Sequence, residues 1–173
     1  MRPSWGRRNA VALGALAVVL PATFAVVGGY EGWSMNQSRP VFPTVVPMNQ
    51  TTSFADAEWG PAEATLSTPP VGEELPADAR IVTVEVPVTP QDGPVACAIP
   101  DLREIGGAER QWEFSSEQTP YDGITVTICP SEGAAPFTLK VAYVVPADAT
   151  GPFGVDVAVS EALPGFLRLV VEP

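Results

Sequence analysis

The chain has 173 residues, and its 20 acidic side chains outnumber its 9 basic ones to give a formal net charge of −11, with no histidine. The absence of histidine excludes the Ser-His-Asp and Cys-His nucleophile arrangements and the usual proton shuttle at neutral pH. The acidity argues against nucleic-acid binding, because phosphate recognition needs clustered Lys and Arg.

An almost unbroken apolar run over residues 10–29 follows Arg2, Arg7 and Arg8. A bilayer core needs about 20 apolar residues in a helix, and the run supplies that number. By the positive-inside rule, residues 1–9 stay in the cytoplasm and the chain after the run lies outside it. We therefore expect a transmembrane signal anchor over residues 10–29 in a single-pass protein of the cell membrane.

A cleaved signal peptide is the competing interpretation of this run. Pro21 would break the helix of such a peptide, and Thr23-Phe24-Ala25 is an acceptable cleavage site. Val26 and Val27 continue the apolar run past that site, which favours the uncleaved anchor. In the alternative case the rest of the chain is a secreted domain, so both interpretations place it outside the cytoplasm.

Residues 30–50 have no sustained hydrophobic period and are interrupted by Pro40, Pro43 and Pro47. Proline-rich connections are extended and semi-rigid, so we predict a juxtamembrane tether over this range. Once the three arginines before the apolar run are set aside, 6 basic residues accompany all 20 acidic ones, a formal charge of −14. Such acidity keeps a domain soluble and non-adhesive.

From residue 51 onward, apolar and polar residues alternate in short runs, which is typical of strands with one face in a core. Gly106-Gly107 between two runs predicts a hairpin. About eight or nine such strands predict an all-β fold, an antiparallel β-sandwich over residues 51–173. The inward positions are expected to be Val82, Val84, Val86, Val88, Ile124, Val126, Ile128, Phe137, Leu139, Val141, Tyr143, Val155, Val157, Val159, Leu167, Leu169 and Val171.

Cys97 and Cys129 are the two cysteines of the chain. In an oxidising compartment, an even and minimal cysteine count usually means one structural disulfide. Closing a loop of about 33 residues stabilises a fold by roughly 3–4 kcal/mol in the chain-entropy account. The spacing is not Cys-x-x-Cys, so a redox role is not expected.

Four pieces of this region occur in a fixed order: Glu58-Trp59-Gly60 in an opening strand, a long strand over residues 79–88, the hairpin over residues 101–112, and the run over residues 137–149. In this order the region resembles the immunoglobulin-like extracytoplasmic domain of unknown function found in Gram-positive, often actinobacterial, lipoproteins and single-pass envelope proteins. The resemblance implies an immunoglobulin-like sandwich with no known activity and no catalytic residues.

No phosphate-binding loop, Ser-x-x-Lys or Gly-x-Ser-x-Gly motif is present. We therefore predict no catalytic residues, no metal site and no cofactor. Carboxylate pairs such as Glu73-Glu74, or Glu104 with Glu109, leave a carboxylate-only hydrolase as an alternative. Acidic clusters also leave a calcium site open, although the EF-hand pattern is absent.

Arg103, Arg110 and Trp112 lie on the predicted hairpin of a domain that has few cations. Trp and Arg are enriched at binding hot spots, so we predict these three residues as a partner-binding surface. The competing interpretation is that Trp112, like Trp59, packs in or beside the core and that the arginines are solvated.

Together, the anchor, the tether and the missing catalytic motifs predict a non-enzymatic, membrane-anchored protein that docks another envelope protein. A module that senses a small ligand or a cation is the alternative. Neither interpretation involves nucleic acid.

Overall fold

The computed structural model of the chain describes residue 6 and residues 9–69, 75–76, 78–119 and 126–173. These residues belong to two compact units, Met1–Arg39 and Pro40–Pro173. The arginines of the positive-inside argument at positions 2, 7 and 8, the Glu73-Glu74 pair and Ile124 lie outside the described residues.

In the described residues of the first unit, the helix α1 spans Ala10–Gln37 and is 28 residues long. It is long and apolar enough to cross a membrane. Pro21 lies inside the helix without ending it. The helix continues past Gly29, where the predicted anchor stops, to Gln37. No proline lies between Pro21 and Pro40 to break it.

The described residues of the second unit form two five-stranded sheets. The first sheet contains, in spatial order, β1 (Phe42–Val46), β10 (Gly165–Val171), β9 (Phe153–Val157), β6 (Asp101–Glu104) and β7 (Gln111–Trp112). Neighbouring strands are antiparallel except β1 and β10, which run parallel. A short 3-10 turn, Ser160–Ala162, lies between β9 and β10.

The second sheet is organised around β5 (Ala79–Pro90), a strand of 12 residues. The other members are β2 (Thr52–Phe54), β3 (Ala57–Trp59), β4 (Glu63–Ser67) and β8 (Phe137–Pro146). β5 pairs antiparallel with β3, β4 and β8, and β2 pairs with β3. The β-branched residues that fill β5 suit a strand whose side chains pack on a pleated surface.

The inward side chains of both sheets form one hydrophobic core. Val82, Val84, Val86 and Val88 of β5 are all buried, as their alternation predicts. The same prediction is confirmed on the other long strands, where the buried side chains include Leu139, Val141, Tyr143, Val155, Val157, Leu167, Leu169 and Val171. Two sheets around a shared core are consistent with the predicted β-sandwich.

Two large core side chains carry a polar atom, and both have a hydrogen-bond partner. The Tyr143 hydroxyl donates to the carbonyl of Pro100 at 2.8 Å. The indole N–H of Trp59 donates to the carbonyl of Phe54 at 2.8 Å. Buried polar atoms are costly without partners, and in the described part of the chain no buried side-chain nitrogen or oxygen lacks one.

The structure differs from the predicted tether over residues 30–50. Its first part continues α1, and Phe42–Val46 forms β1, which pairs with β10 in register from Phe42–Gly165 to Val46–Leu169. Val46 is buried in the core, which ties this segment to the sheet. The second unit therefore begins at Pro40 rather than at residue 51, and the sandwich is not wholly antiparallel.

The predicted strand around Ile128 is also wrong in the described residues. Val126 forms an isolated parallel bridge with Leu139, while Ile128 is 51% exposed. The pairing with β8 in the described part of this segment is therefore limited to Val126. Cys129 is bonded to Cys97, with the two Cα atoms 5.2 Å apart.

Candidate functional site

The hairpin predicted around Gly106-Gly107 is present. β6 and β7 pair antiparallel, with Leu102 opposite Trp112 and Arg103 opposite Gln111. Gly106 and Gly107 have φ values of 84° and 61°, a left-handed conformation that glycine adopts without the steric cost of a Cβ. The hairpin lies at one edge of the first sheet, because β7 is the last strand of that sheet.

Alternation along the hairpin sends its side chains to opposite faces. Leu102 is buried, and Trp112 on the same face is half-buried with its ring edge against Phe153, the ring centroids 6.0 Å apart and the planes at 77°. Arg103 and Gln111 lie on the outer face. The structure therefore separates Arg103 from Trp112, two residues that the sequence grouped together.

Arg110 joins the hairpin to the loop after β8. Its guanidinium makes two hydrogen bonds of 3.0 Å to Glu104 and two more, of 2.9 and 3.1 Å, to Asp148. Its Cζ atom lies 5.5 Å from the centre of the Trp112 ring, a cation–π distance. Arg110 and Trp112 are thus neighbours, but the arginine is already bound to two carboxylates.

This arrangement perturbs the ionisation of both partners. The hydrogen bond from Arg110 lowers the pKa of Glu104, because it stabilises the carboxylate. The carboxylates of Glu104 and Asp148 raise the pKa of Arg110. Both shifts favour the charged pair, so the arrangement is an ion pair rather than a proton-transfer site.

A second polar network crosses the outer face of the first sheet, and we call it the outer ladder: Asp101, Gln111, Arg103, Asp156 and Arg168. Arg168 donates to Asp156 at 2.6 and 2.7 Å, and Arg103 donates to Asp156 at 3.4 Å and to Gln111 at 2.8 Å. Gln111 donates to Asp101 at 2.9 Å. The ladder links β7, β6, β9 and β10, so Arg103 is also partnered within the chain.

Within the outer ladder, the carboxyl group of Asp101 has a raised pKa. Burial raises its pKa, the hydrogen bond from Gln111 opposes that rise, and the charge of Asp156 on the neighbouring strand adds to it. The like charge of Asp156 across the strand pair disfavours ionisation of Asp101. The two arginines of the ladder keep this part of the sheet close to neutral.

Two concave surfaces of the described residues bear on function. A groove of about 310 Å³ lies beside the hairpin and is lined by Pro40, Val41, Pro43, Arg103, Glu104, Ile105, Gly106, Glu109, Phe166 and Arg168. A more apolar cavity of about 660 Å³ is lined by Phe114, Ser116, Thr119, Val126, Thr127, Ile128, Cys129, Pro130, Ser131 and Lys140. The Lys140 ammonium pairs with Glu85 at 2.8 Å.

Cys97 and Cys129 lie at disulfide distance, with their sulfur atoms 2.02 Å apart, as expected from their number. Cys97 also forms an isolated antiparallel bridge with Val159, just after β9. Both cysteines are buried in the hydrophobic core. The bond thus joins the end of the first sheet to the segment that follows Val126.

The described residues contain no group of three or more His, Cys, Asp or Glu side chains that could hold a metal ion. Of the carboxylate pairs considered from the sequence, Glu104 is bound to Arg110 rather than to Glu109. Glu73 and Glu74 lie outside the described residues.

Sequence reasoning did not identify Asp156 as the partner of Arg103 or Asp148 as a partner of Arg110. Arg168 and Asp156 occupy outward positions between buried residues of β10 and β9, so alternation marked each as outward on its own strand but did not show that they meet. Asp148 lies in a loop, and no periodic signal pointed to it.

No protein-family model matches the chain, and no curated protein is significantly similar to it. Among solved structures, the YjhA protein from Bacillus subtilis is similar over 73% of this chain and 97% of its own, at 14% sequence identity and a TM-score of 0.47. A similarity at this score supports no argument about fold or function. The resemblance to immunoglobulin-like envelope domains stays a prediction.

Proposed function

We propose that this protein is a membrane-anchored, extracytoplasmic β-sandwich without catalytic activity that docks another envelope protein. In this proposal α1 spans the cell membrane, residues 1–9 are cytoplasmic, and the sheet unit is an immunoglobulin-like domain outside the cytoplasm. The observation that carries the proposal is α1, an apolar helix of 28 residues followed by a unit that contains a disulfide. Disulfides persist in oxidising, extracytoplasmic compartments.

The chemistry of the hairpin supports docking rather than catalysis. Glu104 and Asp101, two carboxyls with perturbed pKa values, are both hydrogen-bonded to side chains that hold them in place. The Arg110–Trp112 pair stands at a sheet edge with its rotamers fixed by Glu104, Asp148 and Phe153. Fixed side chains lose less conformational entropy on binding, which favours a protein partner at this edge.

Capture from native membranes tests the docking function. Full-length protein is crosslinked in its native membranes and isolated, and the attached proteins are identified by mass spectrometry. We expect one recurrent stoichiometric partner. Recovery of the bait alone would overturn the docking function.

A matched pair of variants tests the hairpin itself. Glu109 at the hairpin and Glu63 on β4 are both exposed glutamates, so Glu109→Arg and Glu63→Arg make the same charge change on different sheets. We expect Glu109→Arg to lose the partner and Glu63→Arg to keep it. A partner that both variants keep would place the docking surface elsewhere.

A ligand-sensing module is the second candidate function, and the apolar cavity of about 660 Å³ favours it. Apolar walls suit the acyl chain of a small apolar ligand. Decanoate and calcium are the probes, because a ligand at 100 times its dissociation constant stabilises a fold by about 2.7 kcal/mol. Unchanged thermal unfolding of the full-length protein with both probes would eliminate this candidate.

A further inference from the structure

We propose that β1 rests on the outer surface of the membrane and inserts its exposed apolar side chains among the lipid headgroups. These side chains, which we call the apolar edge, are Val41, Phe42, Val45 and Met48. The inference rests on the proposed function, because it requires α1 to span the bilayer. It adds a second membrane contact, made by the sheet unit itself.

The apolar edge is open to solvent in the described structure. Val41, Phe42, Val45 and Met48 are 40%, 60%, 56% and 43% exposed. These four side chains lie within eight consecutive residues. Phe42 and Val45 project to opposite faces of β1, because successive strand residues alternate, so the strand is apolar on both sides of the sheet edge, and exposed apolar surface of this kind marks interaction sites. On an edge strand they would also promote aggregation if nothing covered them.

Chain connectivity identifies the bilayer as the occupant. From Gln37, the last residue of α1, to Phe42 the chain can extend at most roughly 17 Å. A helix of 28 residues is about 42 Å long, which exceeds a hydrocarbon core of about 30 Å and carries its outer end into the headgroup layer. The apolar edge is therefore covalently held within reach of the lipid surface.

The charge distribution agrees with this occupant. Residues 40–55 contain no charged side chain, although the chain after residue 30 has a formal charge of −14. Anionic lipids repel acidic protein surfaces, so an uncharged segment is the part of an acidic unit that can approach them. Tyr30 and Trp33, exposed on α1, supply the aromatic side chains typical of a membrane interface on the helix side.

The backbone of β1 argues against the other common use of an edge strand, the addition of a strand from another chain. The amide of Phe42 donates to the carbonyl of Pro164 within the sheet, at 3.1 Å. Backbone groups alternate along a strand, so Pro43 turns its nitrogen to the free edge, where it has no N–H to donate. The contact therefore depends on side chains, which suits lipid better than a second strand.

Photocrosslinking in a defined bilayer tests the inference. p-Benzoylphenylalanine replaces Phe42 or Val45 in the full-length protein, which is reconstituted into liposomes of phosphatidylcholine and phosphatidylglycerol and irradiated. Leu66 on β4 and Ile128, at 42% and 51% exposure, are matched controls on the same unit. Val18, exposed on α1, is the control for the anchor. Lipid adducts are measured by mass spectrometry.

We expect lipid adducts from positions 18, 42 and 45 and none from positions 66 and 128. Adducts from position 18 alone would overturn the seating of β1 and leave the anchor intact. Adducts from none of the positions would overturn the anchor and, with it, the inference. Protein–protein adducts from position 42 would assign the apolar edge to a second copy of the chain. Lipid adducts from every position would show no selectivity. Either result would contradict the proposal.

Discussion

At the scale of single residues, Arg110 connects three parts of the fold. Its guanidinium binds Glu104 on β6 and Asp148 after β8, and it lies over the ring of Trp112 on β7. Exposed ion pairs usually contribute little to stability. Arg110 differs because its pair with Glu104 is bidentate and Glu104 is mostly shielded from solvent, so removal of the arginine leaves a carboxylate with no equivalent partner.

We expect Arg110→Ala to lower the melting temperature of the full-length protein at neutral pH. Because Arg110 lowers the pKa of Glu104, the pair stabilises the fold above the unfolded pKa of about 4.5 and loses that effect as the pH falls through the folded pKa. The difference between wild type and variant should therefore shrink in acid. Thermal unfolding at neutral pH and at about pH 3.5 measures it.

Arg80→Ala is the matched control for this substitution, because Arg80 forms no ion pair with a carboxylate in the described residues. Its melting temperature should stay close to that of the wild type. If the difference in melting temperature between the wild type and Arg110→Ala does not depend on pH, packing of Arg110 on Trp112, rather than the ion pair, accounts for the loss of stability.

The hydroxyl of Tyr143 gives a second prediction at this scale. Tyr143→Phe leaves the carbonyl of Pro100 without its donor in the core, and an unsatisfied buried polar group costs about 1–3 kcal/mol. Chemical denaturation followed by tryptophan fluorescence, to which buried Trp59 contributes, measures the loss. Tyr30→Phe on the exposed side of α1 is the control, and equal stability of the two variants would contradict the prediction.

At the scale of elements, the β6–β7 hairpin depends on its turn. Gly106→Ala and Gly107→Ala each place a Cβ on a residue with positive φ, which costs about 1 kcal/mol for a non-glycine residue. We expect both variants to lower the free energy of unfolding by that amount. Gly28→Ala within α1 has open space around its Cβ and should show no such loss; a loss of equal size there would contradict the turn argument.

The elements also show what the sequence could predict. Period-two alternation marked β5, β8, β9 and β10, because each buries one face along its length. It failed for β1, where a single residue, Val46, is buried. It also failed around Ile128, where a disulfide rather than a ladder of hydrogen bonds directs the chain.

The candidate site was predictable to a smaller extent. The hairpin, and the proximity of Arg110 to Trp112, follow from turn residues and local spacing. The bonds of Arg110 to Asp148 and of Arg103 to Asp156 join residues 38 and 53 positions apart. Such contacts depend on which strands become neighbours in the sheet, and a single sequence carries no local signal for that choice.

At the scale of the whole molecule, the Cys97–Cys129 bond closes a loop across a sequence separation of 32. We expect its reduction to lower the free energy of unfolding by roughly 3–4 kcal/mol, because the reduced unfolded chain gains conformational freedom. Denaturation with and without reductant measures this difference. The Cys97→Ala/Cys129→Ala variant should be insensitive to reductant, and a wild type that is equally insensitive would contradict the prediction.

The parallel pair of β1 and β10 has a mechanical consequence. A force between residue 41 and residue 172 pulls the start of β1 and the end of β10 in opposite directions along the strand axis. Parallel strands under such a load slide past each other, so the five residue pairs from Phe42–Gly165 to Val46–Leu169 resist together instead of opening one at a time. The β1–β10 pair therefore resists, in shear, a force applied to the unit at these two positions.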